Sequence, residues 1–195
     1  MCNFSKPGAN APSLLRHDEV CLLFHELGHA IHDLVAKTAY ARFHGTAIAD
    51  DICEAPSQML ERWCWTKKPL QRLSRHYSTL SPGYHAHWRS NDEVKSTTGP
   101  AEQLPDHLIE ALLRSKNVNA ALFHLRALWL SAFDLLIHTP QDRDTTEATD
   151  LTRLYNTMQQ EIMGIDCPED PHWSHGQAQF SHLMGSYDAS YYGYL

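Results

Sequence analysis

The 195-residue sequence reads as a mainly α-helical protein, on three observations. Apolar residues recur at spacings of three and four over several stretches, which is the period of a helix with one greasy face. Acidic residues and proline stand where the first turns of those stretches would begin, the end of the helix dipole that favours them. Between the stretches lie Gly/Pro/Asp-rich segments that punctuate rather than pair. No internal repeat is evident, and too little of the chain reads as strand to assign a sheet.

The first element is the clearest. Val20, Leu23, Phe24, Leu27, Ile31, Leu34 and Val35 fall at helical spacing, Asp18 and Glu19 occupy the first turn, and Pro12-Ser13 offers a start signal upstream. A helix from about His17 to about Lys37 is expected. Residues 49–61 form a second helical segment. Pro69 to Tyr77 suits a short helix, Pro105 to Ser115 another with Leu108, Ile109, Leu112 and Leu113, and Val118 to His138 a long one rich in Leu, Phe and Trp. Thr146 to Met163 is a further amphipathic helix, followed by a loop through Asp166-Cys167-Pro168-Glu169-Asp170-Pro171.

Within the first helix, His25-Glu26-Leu27-Gly28-His29 spells HExxH. A helix turns about 100° per residue, so positions i and i+4 share a face and can reach one ion. That makes His25 and His29 half of a zinc site, with Glu26 beside them as a base for water. The plainer alternative is an amphipathic surface helix with two histidines and a glutamate. A third ligand decides between them, and residues 49–61 (ADDICEAPSQMLE) offer several carboxylates. Spacing alone does not choose among those.

HELGHAIH at residues 25–32 followed by EAPSQML at 54–60 closely resembles the thimet oligopeptidase family of zinc metallopeptidases. The resemblance implies a zincin-like helical metallopeptidase catalytic core with Glu54, in addition to His25 and His29, as ligand to one Zn2+ ion. It also implies that Asp51 orients a ligand and that His32 serves packing or hydrogen bonding. Near the C-terminus, FSHLMGSYDASYYGYL at 180–195 looks like the family's tyrosine-rich signature, with Ser186 where a second glycine is usual. By that resemblance His182, Tyr187, Tyr191 and Tyr194 face the substrate from a glycine-bearing loop. His182 and Tyr187 are then candidates, with Glu26, for the catalytic set. Tyrosines near a chain end also commonly staple a core.

The expected activity is hydrolysis of internal bonds in short peptides. Zinc activates water, Glu26 takes its proton and delivers it to the leaving amine, and phenol or imidazole donors hold the oxyanion. No Gly-x-Ser-x-Gly elbow or Gly-rich phosphate loop competes with that reading.

Composition bounds the partners. A formal charge of −7 with no basic stripe argues against nucleic acid. No apolar run is expected to approach the roughly 20 residues of a membrane helix, and a chain off the membrane follows from that expectation. The five cysteines, Cys2, Cys21, Cys53, Cys64 and Cys167, are odd in number and scattered, which suits a reducing compartment. Cys21 lies one turn before His25 and Cys53 adjoins Glu54, so oxidation sensitivity or inert burial are both open. The N-terminal residues lack the charged and apolar regions of a secretion signal. A cytoplasmic location is expected, with the mitochondrial matrix as the alternative.

Two departures from the family stand out. Leu80 to Glu102 is polar, Gly/Pro-punctuated and aperiodic, and reads as an irregular insertion at about 80–102. The family's proteins are several times longer, so residues 1–195 read as a partial peptidase catalytic domain, truncated at both ends. Two expectations follow: an active oligopeptidase core, or a zinc-binding remnant without activity.

Overall fold

The computed structural model describes residues 3–90, 99–185 and 187–195. Helices account for the regular structure, and no strand occurs among the described residues. The mainly α expectation holds. The chain forms two compact units, one of residues 1–46 and 55–118, the other of residues 47–54 and 119–195.

The first unit is organised by α1 (His17–Val35) and α3 (Ala55–Glu61). The start of α1 is fixed by Glu19, whose carboxylate accepts the Arg16 backbone N–H at 2.8 Å, and that bond holds the carboxyl below its usual pKa. The helix ends at Val35, close to the predicted boundary. Its packed face is not the apolar stripe that announced it. Gly28 is its buried residue, whereas Leu34 and Val35 remain 84% and 65% exposed. A β-carbon on Gly28 would stand 2.5 Å from Ser57 Cα, so the missing side chain is what lets the two backbones approach.

Behind this contact, the 3-10 turn Arg62–Trp65 carries the buried Cys64, and the His17 ring meets the Cys64 carbonyl at 2.8 Å through Nε2. Helix α4 (Lys67–Leu73) buries Leu70, and α6 (Asp106–Ser115) buries Ile109. Lys67 and Gln71 both donate to Asp106, each at 2.7 Å. The stretch expected to be irregular contains a nine-residue helix, α5 (Pro82–Ser90). Aromatic rings hold this region together, with Tyr84 and Trp88 set against Tyr77 and His76. The rest of that expectation falls largely on residues 91–98, which lie outside the described residues.

In the second unit, α7 (Ala120–His138) and α9 (Leu151–Met163) enclose Trp129, Leu130, Phe133 and Tyr155, with Phe180 against them. The Trp129 ring meets that of Tyr155 at 4.7 Å with the planes tilted by 56°, and its indole N–H donates to the Tyr155 carbonyl at 3.2 Å. The single helix predicted over Thr146 to Met163 is two, α8 (Arg143–Ala148) and α9. Asp150 separates them, because its side chain caps the Arg153 N–H at 3.0 Å and so starts a new helix. Buried Asn156 ties down the following loop, donating to the Pro171 and Ser174 carbonyls at 2.7 and 2.9 Å.

Residues Asp106–His138, which take in both α6 and α7, are long and apolar enough to cross a membrane by length and composition. The expectation that no run reaches that threshold is therefore corrected. Trp129, Leu130 and Phe133 bury themselves in a protein core with the carboxylate of Asp134 beside them. In all, 33% of the most apolar window is buried.

Residues 49–61 also break in two. Helix α2 (Asp50–Cys53) stops at Glu54, and α3 restarts at Ala55 with Pro56 in its first turn. Proline is tolerated there because its missing N–H is one that needs no intrahelical partner. Glu54 thus occupies the joint between two helices.

Candidate metal centre

In the first unit, α1 presents His25 and His29, both half-buried, with their Nε2 atoms 3.3 Å apart and their rings crossing at 82°. Two nitrogens bound at about 2.0–2.1 Å with tetrahedral angles between them stand about 3.3 Å apart. The spacing of the pair therefore fits a shared divalent ion. Glu61, the last residue of α3, accepts from His25 Nδ1 at 2.7 Å. A proton kept on Nδ1 leaves the Nε2 lone pair for a metal, and the carboxylate orients the ring. Glu26 is half-buried on the same helix.

In the second unit, Glu54 is 4% exposed. The Tyr187 hydroxyl donates to its Oε1 at 2.6 Å, and the Tyr194 hydroxyl donates to the same oxygen at 3.2 Å. Burial, then the carboxylate, raises the Tyr187 phenol above its ordinary pKa, and burial raises Tyr194 further. Both remain protonated donors at neutral pH. Tyr192 donates to Asp51 at 2.8 Å, which holds its phenol up as well. Gly193 lies where a β-carbon would stand 2.9 Å from Asp51 Cα. The tyrosine-rich segment is thus laid directly on α2 and its C-terminal glutamate.

His182, on the short helix α10 (Ser181–Met184), is ringed by three of those aromatics. Its imidazole lies 5.8 Å from Tyr187, 5.1 Å from Tyr191 and 5.5 Å from Tyr194, centroid to centroid. Tyr191 also meets Phe180 edge-on at 4.8 Å, so this tyrosine joins the core and the cluster together. Ser186 lies outside the described residues.

The segment is held from behind by Asp134 of α7, which is fully buried. Its carboxylate accepts the Ala189 N–H at 2.8 Å and the Tyr191 N–H at 3.1 Å, with His138 at 2.9 Å. Ala189 sits at φ +61°, a conformation L residues rarely adopt, and the bond to Asp134 helps hold it. Among the thiols, burial and the neighbouring Cys64 push Cys21 up to about 12, which makes it a poor nucleophile at neutral pH.

Sequence reasoning passed over two residues. Glu61 lies within the segment 49–61 as one of several carboxylates, a weak signal. Asp134 gives none, since an acidic residue in an apolar helix discloses its partners only in three dimensions.

The HExxH helix has its histidines at metal spacing, and Glu54 is a buried glutamate held by phenols. The chain belongs to peptidase family M3, whose family model matches residues 1–195. It is 41% identical to saccharolysin of Saccharomyces cerevisiae over 197 residues, which takes in 100% of this chain and 24% of that protein. It is 36% identical to a thimet-like oligopeptidase of Dictyostelium discoideum, again over 100% of this chain and 25% of the relative. Oligopeptidase A of Escherichia coli matches at 33% with the same coverage. The chain thus spans about a quarter of the length of these relatives, and the resemblance to the thimet oligopeptidase family holds.

Proposed function

We propose that this chain is the zinc-bearing core of an oligopeptidase that hydrolyses internal bonds of short peptides. His25 and His29 would each give an imidazole nitrogen and Glu54 a carboxylate oxygen to one Zn2+ ion. The observation that carries this reading is the 3.3 Å separation of the two Nε2 atoms, with Glu61 holding the Nδ1 of His25. Glu54 supports it by covalent position. It precedes Ala55 and Pro56, and the Pro56 carbonyl lies 2.8 Å from the β-carbon position of Gly28, on the turn between the two histidines.

Zinc held there supplies a Lewis acid that lowers the pKa of water and polarises a carbonyl. The chain's own residues do the rest. Glu26 accepts the proton from the attacking water and returns it to the departing amine, so no covalent acyl intermediate forms. His182, Tyr187, Tyr191 and Tyr194 would supply imidazole and phenol donors to the substrate carbonyl and the developing oxyanion, Tyr187 and Tyr194 by turning their hydroxyls from Glu54 to the substrate. The raised phenol pKa values keep the tyrosines as donors throughout the neutral range. We place the protein in the cytoplasm, with the mitochondrial matrix as the alternative. One named relative is the mitochondrial intermediate peptidase of Arabidopsis thaliana, 32% identical over 195 residues.

The test is zinc stoichiometry together with cleavage of a quenched fluorescent peptide. Glu26→Gln should retain one zinc and lose at least about 100-fold in rate, the usual worth of a general base. Zinc bound with no cleavage by the unaltered chain would make it a non-catalytic remnant instead.

A further inference from the structure

We infer that Tyr187 and Tyr194 are positioning residues for the metal, acting through Glu54. This rests on the reading that Glu54 is a zinc ligand. Both phenols converge on one oxygen, Oε1, at 2.6 and 3.2 Å, and the carboxylate they hold is almost wholly buried. Two donors on one oxygen restrict the side-chain torsions of the carboxylate and orient its plane.

The phenols are themselves held. Their rings lie 5.3 Å apart and both touch the His182 ring. The backbone between them is tied to the buried Asp134 at Ala189 and Tyr191. The packing of α7 and the tyrosine-rich segment thus reaches Glu54 through two hydroxyl groups. Removal of an outer partner of a metal ligand typically weakens metal affinity by about 10- to 100-fold.

The test measures zinc affinity by competition with a chromophoric chelator, on the full chain, without reference to activity. Tyr187→Phe should bind zinc about 10-fold more weakly, and the Tyr187→Phe/Tyr194→Phe pair about 100-fold. On a Glu54→Ala background the same Tyr187→Phe change should cost nothing further, because the hydroxyl has lost the group it acts on. Far-ultraviolet circular dichroism of the zinc-free chains checks folding, and Tyr194→Phe alone supplies the test should Tyr187→Phe lose helix.

Zinc affinity unaltered in both single variants, while Glu54→Ala weakens it, overturns the inference and leaves the zinc reading standing. An equal loss from Tyr187→Phe with and without Glu54 also overturns it. If Glu54→Ala itself leaves zinc affinity unaltered, the zinc reading fails first.

Discussion

Gly28 is the point at which the helix bearing the histidines meets the helix bearing Glu61, and Gly28→Ala tests that contact. An added methyl would stand 2.5 Å from Ser57 Cα, 2.8 Å from the Pro56 carbonyl oxygen and 2.9 Å from Ser57 N. Carbon atoms in good contact are about 3.5–4.0 Å apart, so the two backbones must separate by about 1 Å. All three obstructing atoms are backbone, so no rotamer change relieves them. Overpacking of this kind costs about 1–3 kcal/mol, with the upper part of the range expected here. Replacing a mid-helix glycine by alanine returns about 1 kcal/mol. The net expectation is a loss of about 1–2 kcal/mol, read from urea unfolding followed by helical circular dichroism. The separation also pulls Glu61 from His25, so zinc affinity should fall about 10-fold. A urea midpoint at or above that of the unaltered chain would show that helix propensity outweighs the contact, and would refute the reasoning.

Asp134→Ala removes the acceptor for two loop N–H groups inside the second unit; at roughly 1.5–3 kcal/mol for each bond to a charged group, a loss of about 3 kcal/mol in urea unfolding is expected. A loss under about 1 kcal/mol would mean the segment holds itself. Glu61→Gln replaces the anion on His25 Nδ1 with a neutral amide and should weaken zinc binding about 10-fold; equal affinity would contradict the assigned tautomer. The exposed His172 ring bonds Asp150 at 2.6 Å, and that bond raises its pKa. Its stabilising effect is therefore fully present below about 6.5, the unfolded value, and fades as pH rises through the higher folded value. A proton-NMR titration should give a midpoint above about 6.5 that drops in Asp150→Asn, and a midpoint at or below it would refute the pairing.

The parts of the site that depend on local spacing were legible in the sequence. His25 and His29 are four residues apart on a helix whose period is plain, so their convergence follows from helix geometry alone. The site's other elements depend on what the helix packs against. The apolar stripe of α1 announced a helix but pointed to the wrong packed face, because a glycine contact sets the approach to α3. Nothing in residues 49–61 distinguished Glu54 from the carboxylates around it; family resemblance did. Its burial and its phenol partners are separated from it by more than 130 residues of chain. Asp134 was invisible for the same reason. Local signals also failed where two were in competition. The period over Thr146 to Met163 predicted one helix, and the stronger cap at Asp150 made two. In Pro82–Ser90 the proline and glycine suggested a loop, yet both sit in the first turn, where they are tolerated.

The most direct measurement is X-ray absorption on the zinc-loaded chain, combined with metal analysis. The account predicts one zinc per chain, with nitrogen and oxygen neighbours at about 2.0–2.2 Å, scattering from two imidazoles, and loss of the ion in His25→Ala/His29→Ala. Zinc retained at unaltered stoichiometry in that double variant, or a shell dominated by sulfur at about 2.3 Å, would contradict it.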